Sequence, residues 1–247
     1  MHRLSALLSG SLVVVGTGIG FARITLEARA AIAVADEVLY LVPDPVSASG
    51  IEALNPVARS LHDLYEEGAS HHQAYERMAE AILEPVRAGK RVCAAFYGHP
   101  GVFVLPSHDA IGRARAEGFD ATMLPGVSAE DCLVADLGVD PARNGLQSYE
   151  ASDFLRRRPA IEPTTALVLW QIGVVGAGRY SASVSAPALG ALVELLRELY
   201  PAGHGAVVYE ASSYPGIAPL VREVRVDELG ADTVTPASTL YVPPVPR

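Results

Sequence analysis

The sequence predicts an α/β fold in two domains, and three observations carry that prediction. Short apolar runs of strand length, at 12–15, 92–96 and 165–170, each stop at glycine, proline or a polar residue. Stretches with apolar residues at helical spacing stand between such runs, the alternation that builds βα units. From Asp136 to Pro163 this pattern lapses into a segment rich in Pro, Gly, Asp and Arg. The division therefore falls after the Pro125 turn, giving an N-terminal α/β domain over 1–125 and a C-terminal α/β domain over 126–247.

In chain order, 12–15 reads as a first strand ending in the glycine turn Gly16 to Gly20, and a helix follows from Thr25. The glycines stand at 16, 18 and 20, and Phe21 occupies the place where a dinucleotide fingerprint needs Gly or Ala, so no NAD or FAD site is read here. The second strand, 37–42, ends at Pro43 and Pro45. Ser70 with Gln73 has capping-box spacing and opens a helix whose apolar stripe is Tyr75, Met78, Ala79, Ile82 and Leu83. Tyr75 is on that reading either core or the edge of a pocket, and Pro85 is expected to end or kink the helix.

The run 92–96 is the central buried strand, and Tyr97 to Phe103 is its loop. Ligands of open α/β sheets sit beyond the carboxyl ends of strands, where Gly98 and Gly101 leave backbone bare and Tyr97 and His99 add polar groups. Ser107 is expected to cap a helix closed by Gly118, and 121–124 to be a short strand. Ser128 with Asp131 caps the next helix, whose free amides can receive a carboxylate. Beyond the division, 165–170 is a buried strand, 176–185 a Gly/Ser-rich loop and 188–200 an amphipathic helix. Strands follow at 206–209 and 221–226, and 239–242 is expected to close the sheet.

Composition excludes several classes. Acidic residues outnumber basic ones by 28 to 19, a net charge of −9, so nucleic acid is not an expected partner. Cys93 and Cys132 are too far apart for a metal motif and read as core thiols in a reducing compartment. The apolar start is broken by Ser and Gly, unlike a signal peptide, and no run reaches the ~20 residues that span a bilayer. A cytoplasmic protein without membrane or metal partners is expected. Glycine-flanked serine nucleophiles, phosphate-binding loops and paired zinc histidines are absent, and His71 and His72 are adjacent on one helix turn. What remains is a set of polar side chains at predicted strand ends: Tyr65, Tyr75, Tyr97, His62, His71, His99 and Gln171.

Six segments carry a more specific signal together: Gly16 to Gly20, Tyr97 to Phe103, Met123 to Cys132, Ala135 to Pro141, Tyr149 to Ala151, and Leu169 to Gly173. In order and over nearly the whole chain, they resemble the tetrapyrrole methylase superfamily, and within it the borosin peptide backbone α-N-methyltransferases of the omphalotin type. The resemblance implies a tetrapyrrole-methylase-like α/β fold with S-adenosyl-L-methionine bound in a cleft between two domains. It also implies a homodimer and a peptide substrate. Carried over position by position, Tyr97, His99, Val102, Phe103, Ser128, Ala129, Gln171, Ala211, Ser238 and Thr239 line the cofactor site. By the same resemblance Tyr75 accepts the amide proton, Tyr65 holds substrate, and Tyr97 lies beside the methyl group and the substrate oxygen.

Two positions depart from the fungal pattern: His71 stands where the family has a catalytic arginine, and His62 where it has a tyrosine. A histidine in the arginine's place makes activity depend on pH if its charge is needed. The chain ends soon after its last predicted strand, in which it resembles the split borosins, whose precursor peptide is a separate protein supplied in trans. The alternatives are a small-molecule or tetrapyrrole methylase of the same fold, and an inactive cofactor-binding subunit. A precursor encoded beside the gene favours the first reading, and cofactor binding without turnover favours the last.

Overall fold

The computed structural model describes residues 10–65, 71–177 and 184–246, and of His71 its backbone only. The predicted Ser70 cap and most of the 176–185 loop lie outside the described residues. Two compact units are present, Met1–Asp131 with Ser213–Ile217, and Cys132–Ser212 with Ala218–Arg247.

The first unit is built on a parallel sheet. Strand β1 (Ser11–Gly16) leads by way of α1 (Leu26–Val34) to β2 (Glu37–Leu41), then α2 (Pro45–Leu54), β3 (Ala58–Ser60), α3 (His71–Arg87), β4 (Arg91–Phe96), α4 (Leu105–Ala116) and β5 (Asp120–Met123). The strand order is β3-β2-β4-β1-β5, with every pairing parallel. Alternation along the strands feeds two cores. Leu12, Val14, Leu39, Val92, Ala94 and Phe96 meet the α3 residues Met78, Ile82 and Leu83, whereas Val15, Val38, Tyr40, Cys93 and Ala95 meet Ala28, Ile32 and Ile51 of α1 and α2. Central strands buried on both faces explain the unbroken apolar runs.

Local chemistry fixes the element ends. Thr25 caps α1 by accepting the Ala28 N–H at 3.1 Å, and Asp44 caps α2 by accepting the Ser47 N–H at 2.9 Å with Pro45 in the first turn. The proline pair that stops β2 thus also starts a helix. Pro85 does not end α3: it lies in the final turn, and the helix continues to Arg87 before Gly89 turns at φ +86°. Ser107 is not the cap of α4, which begins at Leu105. The Ser107 hydroxyl is buried and donates to the Pro100 and Val104 carbonyls, holding the loop before the helix. Gly118 turns the chain out of α4 at φ +90° as expected.

Helix α5 (Ala129–Leu137) is followed by α6 (Pro141–Asn144), β6 (Leu146–Glu150), α7 (Ala151–Arg157), β7 (Ala166–Trp170), α8 (Ala186–Leu199), β8 (Gly205–Glu210), β9 (Leu220–Arg225) and β10 (Thr239–Val242). The second sheet has the order β6-β7-β10-β8-β9, with β6 parallel to β7 and the other pairs antiparallel. The segment 136–163, which shows no periodicity, holds the edge strand β6 and the helices α6 and α7. Strand β10 does not close the sheet but sits at its centre, all four residues buried between β7 and β8. Leu189, Leu192, Val193 and Leu196 of α8 pack with Leu167, Leu169, Val208 and Leu240. No helix among the described residues is long and apolar enough to cross a membrane.

Candidate functional site

The carboxyl edge of the first sheet is shaped by glycines from three strand ends. Gly18 and Gly98 exchange backbone hydrogen bonds, Gly18 N–H to Gly98 O at 3.2 Å and Gly98 N–H to Gly18 O at 2.9 Å. A Cβ on Gly16 would lie 2.2 Å from Gly98 O, and one on Gly126 would lie 2.9 Å from the Gly16 Cα. Strand ends, rather than a strand and its helix, make the close approach here. Gly20 is held open by the Ser213 carbonyl, 2.1 Å from where its Cβ would stand, and Phe21 lies over Gly50.

On the loop after β4, the Tyr97 N–H donates to Leu41 O at 3.1 Å, which seats Tyr97 beside the end of β2. His99 Nδ1 accepts the Gly101 N–H at 3.0 Å, and His108 Nε2 donates to the Gly101 carbonyl at 2.9 Å. Tyr97 and His99 are half-buried, whereas Val102 and Phe103 keep 44% and 52% of their surface exposed. Phe103 adopts φ +56°, one of three non-glycine residues with positive φ among those described; Gln171 at +61° is another. Such conformations are costly and concentrate where a site demands them.

The tyrosines meet beside this loop's sheet. Residues 62–64 form a 3₁₀ turn after β3, and the rings of His62 and Tyr65 stand 6.0 Å apart at 63°. Tyr65 in turn meets Tyr75 of α3 edge to face, at 6.4 Å. Arg77, which the sequence reading passed over, ties α3 to that turn by donating from Nη2 to Leu64 O at 3.3 Å. His71 is the first residue of α3, four before Tyr75. At the start of α5, Asp131 N–H donates to Ser128 Oγ at 3.2 Å, while Ser128 N–H and Oγ–H both donate to Asp131 Oδ2 at 2.7 Å. The carboxylate received at this helix start is its own Asp131. Ser128 is buried and Ala129 half-buried.

In the second unit, one sheet edge gathers four of the predicted residues. Exposed Gln171 follows β7, Ala211 follows β8, and buried Ser238 and Thr239 lead into β10. Ile172 N–H donates to Ser238 O at 3.1 Å. Glu210, absent from the sequence reading, accepts hydroxyls from Ser238 at 2.6 Å and Thr235 at 2.7 Å. Its only sequence signal is a carboxylate at a strand end facing a distant Thr/Ser turn.

In the first unit, bare glycine backbone at the strand ends and the exposed Val102 and Phe103 surface suit an organic group held by main chain and apolar contact. Among the described residues, no group of three or more His, Cys, Asp or Glu stands close enough to hold a metal ion.

Known proteins agree with this architecture. The chain is 42% identical over 245 residues to a methyltransferase/ribosomally synthesized cyclic peptide omphalotin A precursor from Omphalotus olearius, covering 97% of this chain and 59% of that one. It is 40% identical over 244 residues to a methyltransferase/ribosomally synthesized type I borosin cyclic peptide precursor from Coprinopsis marcescibilis, covering 96% and 62%. The chain thus spans about three fifths of the length of these curated relatives. Its fold matches the crystal structure of uroporphyrin-III C-methyltransferase from Thermus thermophilus with a TM-score of 0.68 at 21% identity, covering 95% of this chain and 92% of that one. The family model for tetrapyrrole (corrin/porphyrin) methylases matches residues 11–226, and the chain belongs to that family.

Proposed function

We propose that this protein transfers the methyl group of S-adenosylmethionine to backbone amide nitrogens of a peptide supplied as a separate chain, and that it does so as a cytoplasmic homodimer. The observation that carries the reading is the pair of half-buried phenols, Tyr65 and Tyr75, 6.4 Å apart. The printed names of relatives that align over 96–97% of this chain, methyltransferases joined to cyclic peptide precursors, support the substrate class.

An amide nitrogen is a poor nucleophile because its lone pair is delocalised into the carbonyl. Its methylation therefore needs a group to take the N–H proton and a donor for the oxygen on which charge collects. S-adenosylmethionine, when bound, would supply an electrophilic sulfonium methyl, with the neutral thioether S-adenosylhomocysteine as the leaving group. Tyr75 is assigned the proton, and His71, the first residue of α3, the place of the family's arginine. Tyr65 is assigned the hold on the peptide, and Tyr97 the amide oxygen. In the first unit Tyr97, His99, Val102, Phe103, Ser128 and Ala129 are assigned to the methyl donor, and in the second Gln171, Ala211, Ser238 and Thr239. Most of these offer backbone, hydroxyl or apolar surface, which aligns a reactive group without competing for its charge.

The test is intact mass spectrometry of peptides encoded beside the gene, incubated as separate chains with the protein and S-adenosylmethionine, with fragmentation to place any added CH2. Additions on backbone nitrogens are expected. No addition, with S-adenosylmethionine binding confirmed by calorimetry, overturns the peptide substrate. Light scattering at working concentration checks the dimer.

A further inference from the structure

The wall formed by Gln171, Ala211, Ser238 and Thr239 has one carboxylate at its joint. Glu210 is the last residue of β8, half-buried, and its Oε1 accepts the hydroxyls of both Thr235 and Ser238. The turn carrying those hydroxyls also closes on itself: Thr235 N–H donates to Ser238 Oγ at 2.8 Å, and Ser238 N–H to Thr235 O at 3.0 Å. On its far side the turn is pressed against the end of β7. Ile172 N–H donates to Ser238 O at 3.1 Å, and a Cβ on Gly173 would lie 1.8 Å from Thr235 O. Three strand ends thus meet at one turn, and the Glu210 carboxylate adds a side-chain tie to β8 beside the backbone pairing of Thr239 with Tyr209.

The chemistry makes the joint directional. A carboxylate only accepts, so it fixes where both hydroxyl hydrogens point, and a charged acceptor strengthens each bond. Ser238 is fully buried, so without Glu210 its hydroxyl loses the partner to which it donates. The turn then loses its side-chain tie to β8 ahead of the Thr239–Tyr209 pairing, and with it the placement of the Ser238 carbonyl that, through Ile172, adjoins the left-handed backbone at Gln171.

We infer that Glu210 is a positioning residue for S-adenosylmethionine in the second unit, holding Ser238 and, through Ile172, Gln171 in a binding arrangement without touching the methyl donor itself. This rests on the proposed methyl-donor site.

Calorimetric titration with S-adenosylmethionine tests it on the full chain, alongside thermal unfolding without ligand. Glu210→Ala is expected to weaken binding by about tenfold or more, beyond what its loss of folded protein accounts for. Glu210→Gln keeps an oxygen that accepts both hydroxyls and is expected to bind within about threefold of the natural chain. Unchanged affinity in Glu210→Ala, or an equal loss in Glu210→Gln, overturns the inference while leaving the methyl-donor site standing. A natural chain that binds no S-adenosylmethionine overturns both. Should Glu210→Ala fail to fold, Thr235→Val removes one of the two donors from an exposed residue. Weaker binding by a few fold is then expected, and unchanged binding overturns the inference.

Discussion

The ring of Tyr75 meets that of Tyr65 edge to face, with centroids 6.4 Å apart and planes inclined at 77°. Helix α3 and the turn after β3 are brought together by this pair and by the Arg77 bond to Leu64 O. Tyr75→Phe removes the hydroxyl and keeps the ring contact, so it separates chemistry from packing. Methyl transfer is expected to fall by about 10²-fold or more, as for loss of an acid–base group, with S-adenosylmethionine affinity nearly unchanged. Turnover by mass spectrometry and binding by calorimetry check this. Equal loss of cofactor binding would make Tyr75 a structural residue.

Two glycines are expected to respond in opposite directions to the same substitution. In Gly16→Ala the new methyl meets backbone, with Gly98 O at 2.2 Å and the Gly126 Cα at 3.1 Å, and neither can rotate away. A loss of about 2 kcal/mol or more is expected, as for overpacking in a rigid site. Gly190 lies exposed in the middle of α8, and a Cβ there meets nothing within 4 Å. Gly190→Ala is expected to gain about 0.5–1 kcal/mol from the helix preference alone. Urea unfolding of both variants decides the matter, and a stable Gly16→Ala would sink the strand-end packing argument.

Where a side chain's role is set by neighbours in sequence, the sequence made it legible. The stripe on α3, the cap at Ser128, the buried runs of β4 and β7 and the turn at Gly118 all follow from periodicity or local hydrogen bonding. Where the role is set across the fold, it was not. Strand β10 reads as a terminal strand by position, yet antiparallel pairing to β7 and β8 makes it central. Strand β6, half-exposed at a sheet edge and only five residues long, lacks the apolar run that marks a buried strand. The candidate site divides in the same way. The tyrosines and the proposed methyl-donor positions are assigned by resemblance, whereas Glu210 and Arg77 bond to partners 25 and 13 residues away, which local sequence does not reveal.

The Asp36 carboxylate accepts Arg91 Nη2 at 2.7 Å, Nε at 3.1 Å and the Arg91 N–H at 2.9 Å. These bonds from the Arg91 side chain, then its backbone, hold the Asp36 pKa down to about 2. In the unfolded chain the carboxyl protonates near ~3.9, so between these values the unfolded state binds the extra proton. The contribution to stability is complete above the unfolded value and is lost as pH falls through the folded one. It is small, because the pair is exposed to solvent and salt. A carboxyl-carbon NMR titration is expected to place the Asp36 midpoint about 2, and Asp36→Asn to make the fall of stability between about pH 4 and pH 2 slightly shallower. A midpoint near the ordinary value would remove this ion pair from the solution structure.

Cys93 lies at the centre of the first sheet, in register with Val13 on one side and Val38 on the other, and is 1% exposed. Burial pushes its thiol up to about 12, because taking a thiolate out of water into an apolar sheet is costly. At pH 8 the folded protein then keeps this group as the thiol, and reagent reaches it only through opening of the sheet. The unfolded thiol ionises near ~8.5, so this group leaves stability untouched below that pH and withdraws it as pH rises toward the folded value. Alkylation by iodoacetamide at pH 8, read by mass spectrometry of the Cys93 peptide, is therefore expected to be negligible in native protein and complete in urea. Its rate in native protein should rise with denaturant in step with unfolding, since both report the same opening. Rapid, stoichiometric labelling of folded protein would mean that β4 is not the buried central strand around which the first unit is arranged.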